Sequence, residues 1–278
     1  MPEGDTVWLA AQRMHEAFAG QVLTVSDFRV PQLATVDLVG QSVLEVVPRG
    51  KHLLTRLSSG LTLHTHFRMD GTWHLYAPGD RWTGGPDWEV RVVLATGTRV
   101  AVGYRLPVVD LVPTAAEESV VGHLGPDVLS DDFDHDEAVR RLRSVPGREV
   151  GLALLDQRNL AGLGNLYRTE ALFLQGVTPW TPVEAVDLDR LVARSVRLMR
   201  ANRGRWEQST TGALRAADQH WVFERSGRPC RRCGRRVLTA EQGEPPYQRL
   251  TYWCGHCQVG PAPAPLPRPA GSPRGRAP

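Results

Sequence analysis

The sequence predicts an α+β multidomain fold: an N-terminal helix with an antiparallel β-sandwich, a helical domain, and a small C-terminal β-hairpin module. Three observations predict it. Short β-type runs separated by turn residues fill positions 21–113, helix-compatible segments follow Pro113, and all four cysteines lie between 230 and 257 in two close pairs. The hydrophobic fraction of 41% suffices for packed cores.

Residues 5–19 read as an amphipathic helix. Asp5 is placed to cap it, Val7, Ala10, Met14, Ala17 and Phe18 recur at helical spacing, and Gly20 stops it. The strands that follow are VLTVSDF, SVLEVV, HLLTRL, LTLHTHF, TWHLY, VRVVL and RVAVG, with turns such as SSG at 58–60 and ATGT at 95–98. Residues 78–88 (PGDRWTGGPDW) read as a long mobile loop. Helices are expected near 134–144, 148–156, 164–175 and 187–203, with Gly176 and Pro179 closing the third. The expected domains are 1–115, 116–221 and 222–259, followed by a Pro/Arg-rich tail at 260–278 whose composition predicts disorder.

No run approaches the roughly 18 apolar residues a membrane span requires. The acidic start, with Glu3 and Asp5, does not fit a signal peptide. A cytoplasmic protein without a membrane partner is expected. The net charge of +3 is unevenly spread: residues 222–260 carry +4, residues 261–278 carry +3, and the rest sums to −4. This asymmetry points to a polyanion engaged mainly at the C-terminal end, a solvated basic face being the plainer alternative.

Cys230 and Cys233 form one pair and Cys254 and Cys257 another, with 20 residues between the pairs. Two such pairs supply four thiolates for one tetrahedral Zn2+, a closed structural site with no position open to substrate. YQRLTYWC reads as a strand entering the second pair, with Arg249 near the hairpin turn, where its guanidinium suits a phosphate.

The chain starts Met1-Pro2-Glu3-Gly4-Asp5. Trimming of the initiator methionine exposes a secondary amine at Pro2, which can attack a sugar C1′ and form an iminium ion. Glu3 beside it is suited to general acid work or proton shuttling.

Three separated pieces together resemble the formamidopyrimidine-DNA glycosylase and endonuclease VIII family. They are the PEG start at 2–4, the stretch RNLAGLGNLYRTEAL at 158–172, which looks like the family's helix-two-turns-helix signature, and the cysteine module with Arg249 five residues before Cys254. The resemblance covers about residues 2–258 and implies a base-excision-repair glycosylase and abasic-site lyase. Such an enzyme removes oxidised bases through a proline Schiff base and β,δ-elimination. The implied partner is damaged DNA, duplex or single-stranded, bound by a monomer associated with the nucleoid.

The resemblance also implies roles. Pro2 matches the nucleophile, Glu3 the essential acid, and Lys51 the hairpin lysine that meets phosphate beside the lesion. Lys51 is the only lysine in the chain, and a lysine after a glycine turn is a point charge suited to phosphate. Asn165, at a helix N-terminus among Gly162 and Gly164, matches the asparagine that holds backbone phosphate. His66, Arg68 and Met69, in HFRMDG, match the turn that fills the gap left by an extruded base, Met69 as the wedge and Arg68 toward the orphaned base. Glu170 stands where the family carries a glutamate near the reacting sugar, and with Arg168 forms a second tier.

Departures place the chain nearer the endonuclease VIII branch, which favours oxidised pyrimidines. Thr6 stands where the purine-repair branch has a second acid, and residues 102–110 lack an Arg-Arg-Phe-Gly type of loop. Asp70 stands where an aromatic is common, so void filling is weaker and single-stranded or bubble DNA enters as a substrate. A non-catalytic DNA-damage binder would use the same phosphate contacts and zinc finger but not the Pro2-Glu3 pair. A zinc-ribbon protein of transcription or translation would not need the long β domain.

Overall fold

The structure, a computed structural model, describes residues 2–267. The chain divides into two compact units, one built from residues up to 133 with 160–163 and 199–206, the other from 134–159, 164–198 and 207 onward.

The first unit opens with α1 (Gly4–Phe18), whose buried Val7, Ala11, Met14 and Phe18 form one apolar stripe at helical spacing. The helix starts at Gly4 rather than Asp5. Glu3 is the extended residue before it and accepts the Val7 amide, while Asp5 lies buried within the first turn. Past Phe18, Gly20 adopts φ +77 and turns the chain away.

Eight strands follow: β1 (Val25–Phe28), β2 (Val43–Arg49), β3 (His52–Leu57), β4 (Leu61–His66), β5 (Thr72–Tyr76), β6 (Val90–Ala95), β7 (Val100–Tyr104) and β8 (Val108–Pro113). They form two antiparallel sheets, ordered β1-β6-β7-β5 and β2-β3-β4-β8. The alternating pattern of the runs explains the core: Leu53, Leu57, Leu63, Val92, Leu94 and Ala101 pack with the α1 stripe. β8 is an addition to the strands read from sequence. Pro107 and Pro113 bracket it, and it pairs with β4 alone at the sheet edge, where proline is tolerated. Leu54, on the opposite face of β3, packs with Val121, Leu124 and Ala161 beneath the short helix α2 (Glu118–Val121).

The loop at 78–88, expected to be mobile, is tied down. The Tyr76 hydroxyl accepts the Thr83 and Gly84 amides at 3.1 and 3.0 Å, and Arg105 donates to the Gly84 carbonyl. Gly84 is forced here, because a Cβ would meet the Tyr104 ring at 2.5 Å.

The second unit holds α3 (His135–Arg143), capped by Asp134 on the Glu137 amide, α4 (Val150–Leu155), α5 (Asn165–Gln175) and most of α6 (Leu188–Asn202). Gly176 ends α5 in the left-handed region, its amide returning to Leu172 and Phe173. β9 (Leu238–Gln242) and β10 (Arg249–Trp253) form the C-terminal hairpin. Residues 261–267 run back along this unit, with Pro261 accepting from Thr178 and the Leu266 amide donating to Thr239. The rest of the tail and Met1 lie outside the described residues. Among the described residues no helix is long and apolar enough to cross a membrane.

Candidate active site and nucleic-acid interface

In the first unit, two sequence pieces more than 150 residues apart meet backbone to backbone. The Gly4 amide donates to the Gly162 carbonyl at 2.9 Å. A Cβ on Gly4 would stand 3.0 Å from the Gly162 Cα and 3.2 Å from its oxygen, so any side chain there would push the two apart. Gly162 itself sits at φ +95. The glycines of the PEG start and of the 158–172 signature therefore serve one junction, which fixes the chain immediately after Pro2. Pro2 is half-buried and Glu3 fully buried at that point.

The Lys51 turn joins the same junction. Gly50 and Lys51 form a two-residue turn between Arg49 and His52, and Gly50 takes φ +59, as a tight hairpin of this hand demands. The Gly50 amide donates to the Asp127 Oδ2 at 2.6 Å, while Asp127 Oδ1 accepts the Leu129 amide at 3.0 Å. Asp127 pairs in parallel with Ala161, one residue before Gly162. Burial pushes the Asp127 carboxyl up, against the pull of those two amides. Sequence reading missed Asp127; a lone aspartate between Pro126 and Val128 carries no signal of its own.

Beside Lys51 lies a cluster of imidazoles on the β3–β4 face that looks toward α2. His52 Nδ1 and His64 Nε2 are 2.8 Å apart, and His64 Nδ1 lies 3.2 Å from Asp110 Oδ2. The His52 ring packs edge-on against His66 at 4.6 Å and against His123 at 5.9 Å between centroids. Burial first, then the neighbouring rings and Lys51, holds His52 down to about 3. Burial and then Lys51 hold His66 down to about 4, so both are neutral near pH 7. His66 Nδ1 accepts the Arg68 amide at 2.9 Å, which leaves its Nε2 as the protonated donor.

The turn after His66 is built around Phe67, which is buried, and Gly71, whose amide donates to the Phe67 carbonyl at 2.8 Å. Arg68 takes φ +47, and Met69 at the tip is 54% exposed, so it is not a core residue. Arg105, in the stretch where a longer loop is absent, donates to the Asp70 carbonyl at 3.0 Å and pairs with Glu89, bracing the turn from below. A cleft of about 420 Å3 opens beside the first turn of α1, walled by Trp8, Gln12, Arg49 and Arg203, with the Arg203 guanidinium over the Trp8 ring.

In the second unit, Asn165 opens α5 after the extended Gly164. Its side chain is engaged internally: Nδ2 donates to the Leu250 carbonyl at 2.9 Å, and Oδ1 accepts from Arg168 Nε and Nη2 at 3.1 and 2.7 Å. Arg168, fully buried, also reaches Gln242 Oε1 at 2.6 Å and Thr251 Oγ1 at 2.5 Å. It thereby ties α5 to both strands of the hairpin that carries Arg249. Glu170 is fully buried too, and its carboxylate accepts the Trp221, Val222 and Phe223 amides, each at 2.8 Å, and the Thr210 hydroxyl. Arg249 is exposed at the last pair of the hairpin, opposite Gln242, as its position in the sequence led us to expect.

The four cysteines converge. All four Sγ atoms lie within 4.8 Å of one another, with Cys230 and Cys257 3.9 Å apart and Cys233 and Cys254 3.5 Å apart. Ligands about 2.3 Å from a central ion at tetrahedral angles stand roughly 3.8 Å apart, so the cage has the size a zinc ion requires.

Two family models match the chain: the formamidopyrimidine-DNA glycosylase N-terminal domain over residues 1–105 and the formamidopyrimidine-DNA glycosylase H2TH domain over residues 124–201. Among similar proteins is a probable endonuclease 8 2 of Streptomyces coelicolor, 57% identical over 99% of this chain and 100% of that protein. Another is the DNA-(apurinic or apyrimidinic site) lyase Nei2 of Mycolicibacterium smegmatis, 41% identical over 93% of this chain and 99% of that one. Among solved structures, the Lactococcus lactis Fpg bound to DNA containing an abasic site superposes with a TM-score of 0.78 at 20% identity, covering 93% of this chain and 100% of that chain.

Proposed function

Because the chain belongs to the formamidopyrimidine-DNA glycosylase and endonuclease VIII family, on the endonuclease VIII side, we propose that it excises oxidised bases from DNA and cleaves the abasic site left behind. Pro2 is the nucleophile. Its secondary amine displaces the base at C1′ of the damaged nucleotide, the base departing with a proton. The C1′–O4′ bond then breaks, O4′ takes a proton, and the resulting iminium links enzyme and opened sugar. Glu3, buried beside the amine, manages the protons. Loss of the C2′ proton from the iminium expels the 3′ phosphate, and a second elimination expels the 5′ phosphate.

Lys51 in the Gly50-Lys51 turn and His66 at the end of β4, opposite His52, meet phosphate as cation and neutral donor. Asn165, which opens α5, and the exposed Arg249 meet it in the second unit. Arg68 and the exposed Met69 occupy the gap left by the extruded base. Glu170 and Arg168 hold α5 to its neighbours rather than touching substrate. The cysteine cage holds one structural Zn2+, which would fix the hairpin and take no part in the chemistry. Oxidised pyrimidines are the favoured lesions, because the stretch at 102–110 offers no long loop to clasp a larger base. A monomer at the cytoplasmic nucleoid fits a DNA substrate and four cysteines held as a metal cage.

The observation that supports this reading most is the glycine junction, which holds the chain after Pro2 and the Lys51 turn against the same backbone. Borohydride trapping on DNA with an abasic site tests it. A covalent adduct mapped to Pro2 by mass spectrometry is expected, and Pro2→Gly or an N-terminal extension should abolish it. Trapping at another amine would contradict the assignment, and no trapping at all would leave a DNA binder that does not cut.

A further inference from the structure

The imidazole cluster under the Lys51 turn is larger than a phosphate contact requires. The register places His52 opposite His66, and Leu54 opposite His64, so that His52, His64, His66 and Asp110 share one face of the β2-β3-β4-β8 sheet. Three of these are threaded by hydrogen bonds. Asp110 Oδ2, a carboxylate oxygen, accepts; His64 Nδ1 therefore donates, its Nε2 accepts, and His52 Nδ1 donates in turn. The chain fixes both tautomers and both ring planes, and the two rings lie edge to edge, 18° from parallel, with centroids 5.0 Å apart. His64, at 4% exposed, is the inaccessible middle of the chain and has no route to DNA of its own. His52 delivers the order outward, through its edge-on contact with His66 and its place next to Lys51 in the chain.

We propose that Asp110, His64 and His52 form a hydrogen-bonded relay of positioning residues, which holds the His66 ring and the Lys51 turn in the geometry that meets the DNA phosphate. The relay works by geometry. With His52 locked by His64, the edge of its ring fixes one side of His66, while the Arg68 amide fixes the other through Nδ1. His66 Nε2–H is then left aimed as a donor without sampling other rotamers, and Lys51, one residue from His52, inherits the same anchor. A lost relay leaves the phosphate ligands present but loose, and misplacement of an ångström is enough to cost catalysis.

This inference rests on the proposed lyase function, and the test separates the two. The measurements are the salt dependence of affinity for duplex DNA carrying a tetrahydrofuran abasic analogue, single-turnover borohydride trapping on abasic DNA, and the thermal midpoint. His64→Leu removes both nitrogens at similar volume. It should weaken binding by about tenfold and lower the slope of log K against log salt by about 0.9, the loss of the one cationic phosphate contact in this turn, that of Lys51. Trapping should slow with it, while the thermal midpoint falls only by the few degrees that one unpartnered, partly buried donor on His52 costs. His64→Gln, which keeps a polar end toward His52, should restore most of the slope. Asp110→Asn, at a half-exposed position that does not threaten folding, should weaken binding about threefold.

Unchanged slope and affinity in His64→Leu and Asp110→Asn, with wild type binding and trapping normally, overturn the relay. Affinity that falls only in step with the thermal midpoint, at constant slope, also overturns it, since that is general loosening. Wild type that fails to trap overturns the proposed function instead.

Discussion

Replacing Glu170 by glutamine separates an anchor from an acid. The carboxylate is fully buried and takes four donors: Val222 and Phe223 amides on Oε1, the Trp221 amide and Thr210 hydroxyl on Oε2. Glutamine has one carbonyl oxygen, which keeps the Val222 and Phe223 amides. Its NH2 then faces the Trp221 amide, donor against donor. Thr210 escapes the conflict, because its hydroxyl can accept from the new NH2 and turn its own hydrogen toward the Gln219 carbonyl, 3.1 Å away. One buried amide is left unsatisfied.

A buried donor without a partner costs about 1–3 kcal/mol. For a chain of this size each kcal/mol lowers the thermal midpoint by about 2–4 °C, so a fall of roughly 2–12 °C is expected. Alanine, which abandons all four donors, should cost more than glutamine. Thermal unfolding followed by tryptophan fluorescence reads the effect directly, because Trp221 is one of the affected residues. An E170Q protein as stable as wild type, yet unable to release a damaged base, would refute the anchor and assign Glu170 to the chemistry.

Three further outcomes follow from the geometry. Gly4→Ala puts a Cβ 3.0 Å from the Gly162 backbone, which should cost about 1–3 kcal/mol and slow trapping on abasic DNA, while Gly97→Ala, facing open space, serves as the control. Chelation, or Cys254→Ser, should release zinc measured by emission spectroscopy and weaken DNA binding by about tenfold or more, as the hairpin tip carrying Arg249 loses a charge-assisted contact worth about 1.5–3 kcal/mol; full affinity without metal would remove the structural role. Acidification should destabilise the fold from about pH 6.5 downward. His52 and His66 stay neutral in the folded state, down to about 3 and 4, whereas the unfolded chain takes up protons near 6.5, so stability rises with pH across that window. Carboxylates held low by arginines, Glu117 by Arg56 and Asp156 by Arg158 and Arg148, act in the same direction but only below the ordinary carboxylate range. His52→Gln should therefore flatten the midpoint-against-pH curve between 6.5 and 5, and an unaltered curve would show that the cluster is protonated in the native state.

Much of the fold was legible because its signals are local. The α1 stripe, the alternating runs of seven strands and the left-handed Gly176 each declare themselves within a few residues. β8 was not legible, since two prolines and an aspartate obscure an edge strand that exists only because β4 offers it an open side. The loop at 78–88 has a flexible composition, and what restrains it is the hydroxyl of Tyr76, which belongs to a neighbouring strand. The site divides in the same way. Residues with distinctive chemistry at fixed spacing, namely the four cysteines, Lys51 after Gly50 and Arg249 before Cys254, stand where the sequence put them. Asp127 and the Asp110–His64–His52 chain did not announce themselves, because their meaning lies in partners 12 to 77 residues away.

Glycine shows why those long-range partners matter. Gly4, Gly50 and Gly162 look in sequence like three separate turns or caps. In the fold a Cβ on Gly4 would strike Gly162, and a Cβ on Gly50 would come within 3.2 Å of Ala161 and 3.3 Å of the Gly162 amide. The three are one requirement, that the start of α1, the Lys51 turn and the 161–162 segment approach as bare backbone. The nucleophile we propose, Pro2, would have only one covalent tether, so its position would be fixed by whatever grips the residues just after it. Here that grip is the Gly4–Gly162 hydrogen bond, and Asp127 ties the Lys51 turn to the same segment. It follows that substitutions at Gly162 should harm trapping as much as those at Gly4, although Gly162 has no side chain with which to do chemistry.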